Sequence, residues 1–252
     1  MSFLTNLHTD LRRVRLTKRG STDAPENVPR GKHKEYLRMR RIPLPEPAHL
    51  DITLPAALEK RSSSLEASGV EHISLEEIGT LLGHGLRRRD SSVNRNYPSG
   101  GALYPIETYL IAPSIKGLAG GIFHYHPTEN ALERLWDVPT DFSMKKLVGK
   151  PDFIVPTLLM VFTSAWTRSS AKYGDFTYTL ALLEAGHMSE NILLLAGAIG
   201  LEVRPMAAFN DNRIIELLDI DERDEQPVHT ITFSKSSASH PSAGAGEHGI
   251  EE

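Results

Sequence analysis

The first clear periodicity begins at Ser74-Leu-Glu-Glu77, where a hydroxyl followed three residues later by a glutamate forms a capping box. Ile73, Leu75, Ile78, Leu81 and Leu82 recur at helical spacing up to Gly83, which predicts a helix. Arg87 to Gly101 has no apolar period and reads as a polar loop. Downstream the period shortens: Ile106 to Ala112 reads as a strand. Gly121 to His126, a Pro-Thr-Glu-Asn turn and Ala131 to Trp136 read as a hairpin. Met144 to Val148 fits a short helix, and Ile154 to Thr163, apolar on both faces, fits a buried strand. Tyr178 to Ile199 is largely apolar and predicts a long helix running through the core. A strand over Leu201 to Ala207, a helix over Asp211 to Leu218 capped by Asn210, and a strand over Pro227 to Phe233 complete the pattern. Helices mixed with a hairpin-containing sheet give the α+β class.

The two ends depart from this pattern. Residues 1–48 are interrupted by Pro25, Pro29, Pro43, Pro45 and Pro47, each of which holds its predecessor extended, so an arm is expected there. From Ser236 the chain is rich in Ser, Ala and Gly, and a disordered tail over 236–252 is expected. One compact domain over residues 49–235 remains. Charge sharpens the division. Residues 1–50 carry 11 Lys/Arg against 5 Asp/Glu, whereas the remainder has a net charge of −10. The acidic body argues against general nucleic-acid binding. The basic head reads either as a contact for an acidic partner or leader peptide, or as a solubilising tail. The absence of cysteine excludes disulfides, cysteine-ligated zinc, iron–sulfur clusters and a thiol nucleophile. The most apolar stretch, Ile192 to Leu201, has ten residues, and a spanning helix needs ~20. With no export signal either, a cytoplasmic protein is expected.

Four segments could carry chemistry. Asn94-Arg-Asn-Tyr-Pro-Ser99-Gly100-Gly101-Ala102 is a loop whose backbone can approach a planar ligand, or a structural turn feeding the next strand. Arg61-Ser62-Ser63-Ser64 places one fixed charge beside short donors, which suits a phosphate, or is a solvated linker. Lys172-Tyr173 precedes the long helix; such neighbours can exchange a proton where burial lowers a lysine pKa, or form an exposed loop. Glu184-Ala185-Gly186 interrupts an apolar helix, where Gly costs ~1 kcal/mol against Ala. It marks either a ligand contact or close helix packing with Glu184 paired to an arginine.

The order of these blocks resembles the FMN-dependent nitroreductase-fold superfamily, and within it the SagB/McbC-type azoline dehydrogenases. Tyr97-Pro-Ser-Gly-Gly-Ala-Leu-Tyr-Pro-Ile-Glu107 is the most specific piece. Gly121-Ile-Phe-His-Tyr-His-Pro127 with Ala131-Leu-Glu133, then Lys172-Tyr173, Tyr178, Ala181 to His187 and Asn191, follow in order. The likeness covers about residues 55–233. It implies a nitroreductase-like fold with a central, mainly antiparallel sheet flanked by helices, in an intertwined homodimer. It implies FMN held by Arg61, Ser62, Ser63, Ser99, Gly100, Gly101, Ala102, Glu184, Ala185, Gly186 and Asn191, with no metal. Leu65 stands where relatives often carry a second phosphate-binding cation, so Lys235 or Arg204 is expected to substitute. The implied activity is oxidation of thiazoline or oxazoline rings in a ribosomally synthesised precursor peptide to thiazoles or oxazoles. Lys172 and Tyr173 would be catalytic, dioxygen would reoxidise the flavin, and cyclodehydratase subunits would be partners. An NAD(P)H-dependent nitroreductase, or a non-catalytic scaffold subunit, is the alternative.

Overall fold

The computed structural model describes residues 28–64, 71–89, 92–148 and 156–235. Its strands are β1 (Arg40–Pro43), β2 (Ile106–Ala112), β3 (Gly121–His126), β4 (Ala131–Trp136), β5 (Leu158–Ala165), β6 (Glu202–Met206) and β7 (Glu225–Ser234). Its helices are α1 (Leu54–Lys60), α2 (Leu75–Gly85), α3 (Met144–Leu147), α4 (Thr167–Tyr173), α5 (Phe176–Ala198) and α6 (Asp211–Leu218). The strands form one sheet in the order β1-β4-β3-β2-β5-β7-β6, antiparallel at every pairing. Proline removes a ladder donor. Pro43 and Pro205 lie in the two outermost strands, and Pro227 pairs with Thr163 beside the register shift in β5.

The sheet is the central layer, and β2 and β3 are buried along their whole length. On one face Leu81, Leu82, Phe123, Phe162, Met188, Ile192 and Phe233 pack among α2, α5 and the strands. On the other, Tyr109, Ile111, Leu159 and Val161 lie beneath Met144, Ile214 and Leu218 of α3 and α6. The predicted capping box is present, with Ser74 Oγ accepting from the Glu77 N–H and Glu77 accepting from the Ser74 N–H. Helix α5 is 23 residues long and apolar around its circumference. It buries Ala181, Ala185, Met188, Ile192 and Ala196 but leaves Tyr178, Leu182 and Leu183 exposed. Among the described residues no helix is long and apolar enough to cross a membrane.

Three expectations need correction. The domain does not begin at residue 49, because Arg40–Pro43 pairs with β4 as part of the sheet. The proline run after it packs on α2: a Cβ at Gly79 would lie 2.7 Å from the Pro45 carbonyl oxygen, and one at Gly83 2.3 Å from Pro47 Cγ. Lys172-Tyr173 lies on a helix, α4, and is half-buried, which corrects the exposed-loop alternative. The buried strand expected from Ile154 is shifted along the chain, to Leu158–Ala165. Residues 154 and 155, the first part of the head (1–27), Leu65 and the tail from 236 lie outside the described residues.

Candidate functional site

A turn, a short helix and the middle of α5 converge. The turn runs from Pro98 to Pro105, and three of its residues have positive φ: Gly101 at 65°, Ala102 at 55° and Tyr104 at 50°. Two of these are not glycine, so the conformation is strained and must be held by its surroundings. Ser99 Oγ accepts the Tyr104 N–H at 2.9 Å. The Arg95 guanidinium stands 4.6 Å from the centre of the Tyr104 ring and donates to the Tyr97 hydroxyl at 2.8 Å, while the Arg95 N–H donates to the Tyr104 hydroxyl. The Gly31 N–H donates to the Ala102 carbonyl at 2.9 Å, so the head also touches the turn.

Lys172 and Tyr173, the last residues of α4, reach this turn. A Cβ at Gly101 would lie 2.7 Å from the Tyr173 hydroxyl and 2.9 Å from Lys172 Nζ. Both side chains are half-buried, and Lys172 Nζ stands 5.3 Å from the centre of the Tyr173 ring. Gly101 therefore makes room for an amine and a phenol side by side, a pair able to accept and relay a proton. Gly100 instead faces Leu180: a Cβ there would lie 3.2 Å from Leu180 Cδ1.

Glu184 lies beneath the turn, 2% exposed, and its Oε1 has no hydrogen-bond partner. Burial pushes its carboxyl up to about 7, against the opposing pull of Ser99, Arg95, the Ile106 amide and Arg168. The folded pKa exceeds the usual value of 4.5, so the folded protein holds the proton more tightly and loses stability as pH rises from about 4.5 past 7. Glu184→Gln should match the parent near pH 4.5 and exceed it at pH 8 by at most ~3 kcal/mol. Chemical denaturation of both proteins across this range measures the difference; a gap that ignores pH would show that the carboxyl is ionised in the fold.

The other expected residues are dispersed along α5. Ala185 is buried, but Gly186 is exposed, with no atom within 4 Å of where its Cβ would stand. That open backbone can receive a flat ring. Arg61 follows α1, half-buried, with Ser62 and Ser63 exposed. Gly197 sets its place: a Cβ there would lie 3.0 Å from the Lys60 carbonyl oxygen and 3.3 Å from the Arg61 nitrogen. Leu180 meets the turn and Gly197 meets Arg61, and seventeen residues of helix separate them by about 26 Å. The expected cofactor residues of one chain are thus spread along α5, with the turn near its start, Glu184 to Gly186 in its middle and Arg61 at its far end. The Asn191 Nδ2 donates to the Gly85 and Asn96 carbonyls at 3.2 and 3.0 Å and ties α5 to the end of α2 and to the loop before the turn. Lys235 pairs with Glu77 at 2.8 Å.

A line of buried charge crosses the sheet to this site. Arg41 Nε donates to Glu133 at 3.0 Å, His124 bridges Glu133 and Glu107 at 2.9 Å each, and Arg168 of α4 donates to Glu107 at 2.5 Å. Burial alone would lower the His124 pKa, but hydrogen bonds to two carboxylates outweigh it and hold the ring above its usual value. Burial would likewise raise Glu107, and Arg168, followed by His124, holds it far below the ordinary carboxylate range. His33, Glu35 and His126 also bring ligand-type atoms within 4.8 Å of one another. Burial pushes His33 down to about 4 and lowers His126, so both rings are neutral near pH 7. His126 Nδ1 accepts the Glu129 N–H, which leaves its proton on Nε2, facing His33 Nε2 at 3.1 Å. His33 Nε2 also stands 3.5 Å from a Glu35 carboxylate oxygen.

The nitroreductase family model matches residues 60–235, most of the chain. The protein belongs to the nitroreductase family. Within it, the chain is 31% identical over 182 residues to the microcin B17-processing protein McbC of Escherichia coli. That match covers 68% of this chain and 65% of McbC, so it spans just under two thirds of that relative. The trifolitoxin-processing protein TfxB of Rhizobium leguminosarum bv. trifolii is 22% identical over 254 residues, covering 92% of this chain and 66% of TfxB. Among solved structures, a chain of the E. coli microcin synthetase McbBCD complex with truncated pro-MccB17 bound superposes with a TM-score of 0.61 at 26% identity. That superposition covers 94% of this chain and 98% of the other. The fold and the SagB/McbC-type resemblance expected from the sequence agree with these findings.

Proposed function

We propose that this nitroreductase-family protein is an FMN-dependent dehydrogenase that converts thiazoline or oxazoline rings of a ribosomally synthesised peptide into thiazoles or oxazoles. The observation that carries this reading is the convergence of Lys172 Nζ and the Tyr173 hydroxyl at Gly101. Aromatising an azoline removes a proton from the carbon α to a carbonyl and a hydride from its ring neighbour. FMN, when bound, supplies the acceptor for the hydride, and dioxygen restores it. The chain's own part is the proton: Lys172 or Tyr173 accepts it, and the other holds the acceptor in place. The named activities of McbC, TfxB and the McbBCD complex, all concerned with peptide processing, support this substrate class and a synthetase with cyclodehydratase subunits as partner.

The residues fit the flavin, on two features of the chain. Gly186 exposes open backbone for a ring, and Arg61 with Ser62 and Ser63 offers charge and donors for a phosphate. Because Arg61 lies about 26 Å along α5 from the Gly101 turn, a complete site is composed from two chains, one supplying Arg61 with its serines and the other the turn with Lys172 and Tyr173. The exposed Leu54, Leu58, Leu182 and Leu183 on α1 and α5 give the second copy an apolar surface to bury. The purified protein should therefore be yellow, dimeric by analytical ultracentrifugation, and carry one FMN per chain after reconstitution. With an azoline peptide in air it should yield azole. A colourless monomer that refuses FMN, or a yellow dimer that leaves azolines intact but rapidly oxidises NADH, would overturn the reading.

A further inference from the structure

Helix α4 carries the proton-handling pair, yet it cannot hold itself in place. It has seven residues and no side-chain N-cap bond, and isolated helices below ~12–15 residues are marginal in water. Arg168 sits in its first turn, four residues before Lys172, and therefore on the same helix face. Its guanidinium is 13% exposed and grips two elements at once. Nη1 donates to the Tyr104 carbonyl at 2.6 Å and Nη2 to Glu107 Oε1 at 2.5 Å. Tyr104 is a strained member of the turn that carries Gly101, with φ at 50°. Glu107 belongs to β2 and cannot drift, because it also accepts from the Lys34 N–H at 2.7 Å and from His124 at 2.9 Å. One planar, forked donor thus ties α4, the strained turn and the central sheet together, and these pieces meet again where Gly101 touches Lys172 and Tyr173.

We propose that Arg168 is a positioning residue that keeps Lys172 and Tyr173 in register with the Gly101 turn by bonding the Tyr104 carbonyl and Glu107 simultaneously. This rests on the dehydrogenase reading given above. Charge compensation of Glu107 is a separate task, which any cation in the same place could perform. Lysine offers a point charge without the fork, so Arg168→Lys separates the two tasks.

Arg168→Lys should keep the parent's thermal stability, flavin content and KM, while kcat falls ~10–10²-fold, the usual cost of misplacing reacting groups by about 1 Å. Hydrogen exchange should quicken in residues 100–105 and 167–174 but not in α5, a readout that needs no turnover. Arg168→Met, which also strands the buried Glu107 charge, should lose stability. Pairing it with Glu107→Gln should recover stability but not kcat. Parent-like kcat and exchange in Arg168→Lys would overturn the proposal. So would a kcat loss matched by losses of flavin and stability, or recovery of kcat in the double variant. A parent protein that binds FMN but oxidises no azoline would instead overturn the dehydrogenase reading, and the exchange pattern would still judge Arg168.

Discussion

Lys172→Ala and Tyr173→Phe should each leave a folded, yellow dimer whose azoline turnover has fallen by ~10²–10⁴-fold, the usual contribution of a positioned acid–base group. The product would be detected by mass as a peptide two hydrogens heavier per unconverted ring. Both side chains are half-buried at the end of α4, and neither packs into the apolar core on either face of the sheet, so their removal leaves the sheet and α5 untouched. Tyr173→Phe keeps the ring against which Lys172 Nζ stands at 5.3 Å and removes only the hydroxyl beside Gly101. The comparison therefore reports on the proton alone. Azole formation at the parent rate in both variants would mean that the base lies elsewhere and would reopen the nitroreductase alternative.

Gly101→Ala should be nearly as damaging, although it adds a single methyl group that itself takes no part in proton transfer. The new Cβ would stand 2.7 Å from the Tyr173 hydroxyl and 2.9 Å from Lys172 Nζ. These are ends of flexible side chains, so they move aside rather than unfold the protein. What is lost is their register with the turn, and a displacement of ~1 Å can cost ~10²-fold in rate. Alanine at φ 65° adds backbone strain of ~1–2 kcal/mol. Gly100→Ala is the control. Its Cβ meets only Leu180, with Cδ1 nearest at 3.2 Å, and its φ is ordinary, so most of the activity should survive. If the two alanine variants behave alike in kcat and denaturation midpoint, the crowding at Gly101 is not what places the pair.

Much of the sheet is legible in the chain because its strands are short apolar runs bounded by turn residues. The β3–β4 hairpin and β2 fall where expected, as does the capped start of α2. What escapes has a physical reason in each case. Arg40–Pro43 is polar and proline-flanked and becomes a strand only because β4 offers it a ladder. Helix α4 lacks an N-cap and an apolar stripe, and its place is set by Arg168 reaching out of it. Glu107, His124 and Glu133 are polar positions that strand alternation would turn toward solvent, yet each interrupts a run that is buried on both faces. That interruption is the available signal for the buried charges. Of the site, the Gly101 turn and Lys172-Tyr173 are visible as motifs, but their contact is not, since it depends on the path between them. Asn191 and Lys235 are chemically apt for a cofactor, and their partners lie far away in sequence: Gly85 and Asn96 for one, Glu77 for the other.

The placement of β1 has a consequence for anyone shortening the chain. Arg40–Pro43 covers the outer side of β4. Starting the protein at residue 49, where its basic head ends on composition, uncovers that whole row of peptide N–H and C=O groups, a template for pairing with another molecule's strand. The same cut takes away the Arg41 guanidinium and the Tyr36 N–H that hold Glu133, and the Lys34 ammonium that pairs with Glu225. Buried Glu133, on the newly open β4, and buried Glu225, on β7, would each lose a cationic partner. Removing residues 1–27 spares all of these contacts and the Gly31 bond to the Ala102 carbonyl, so the safe boundary for truncation lies ahead of Gly31, not behind the prolines.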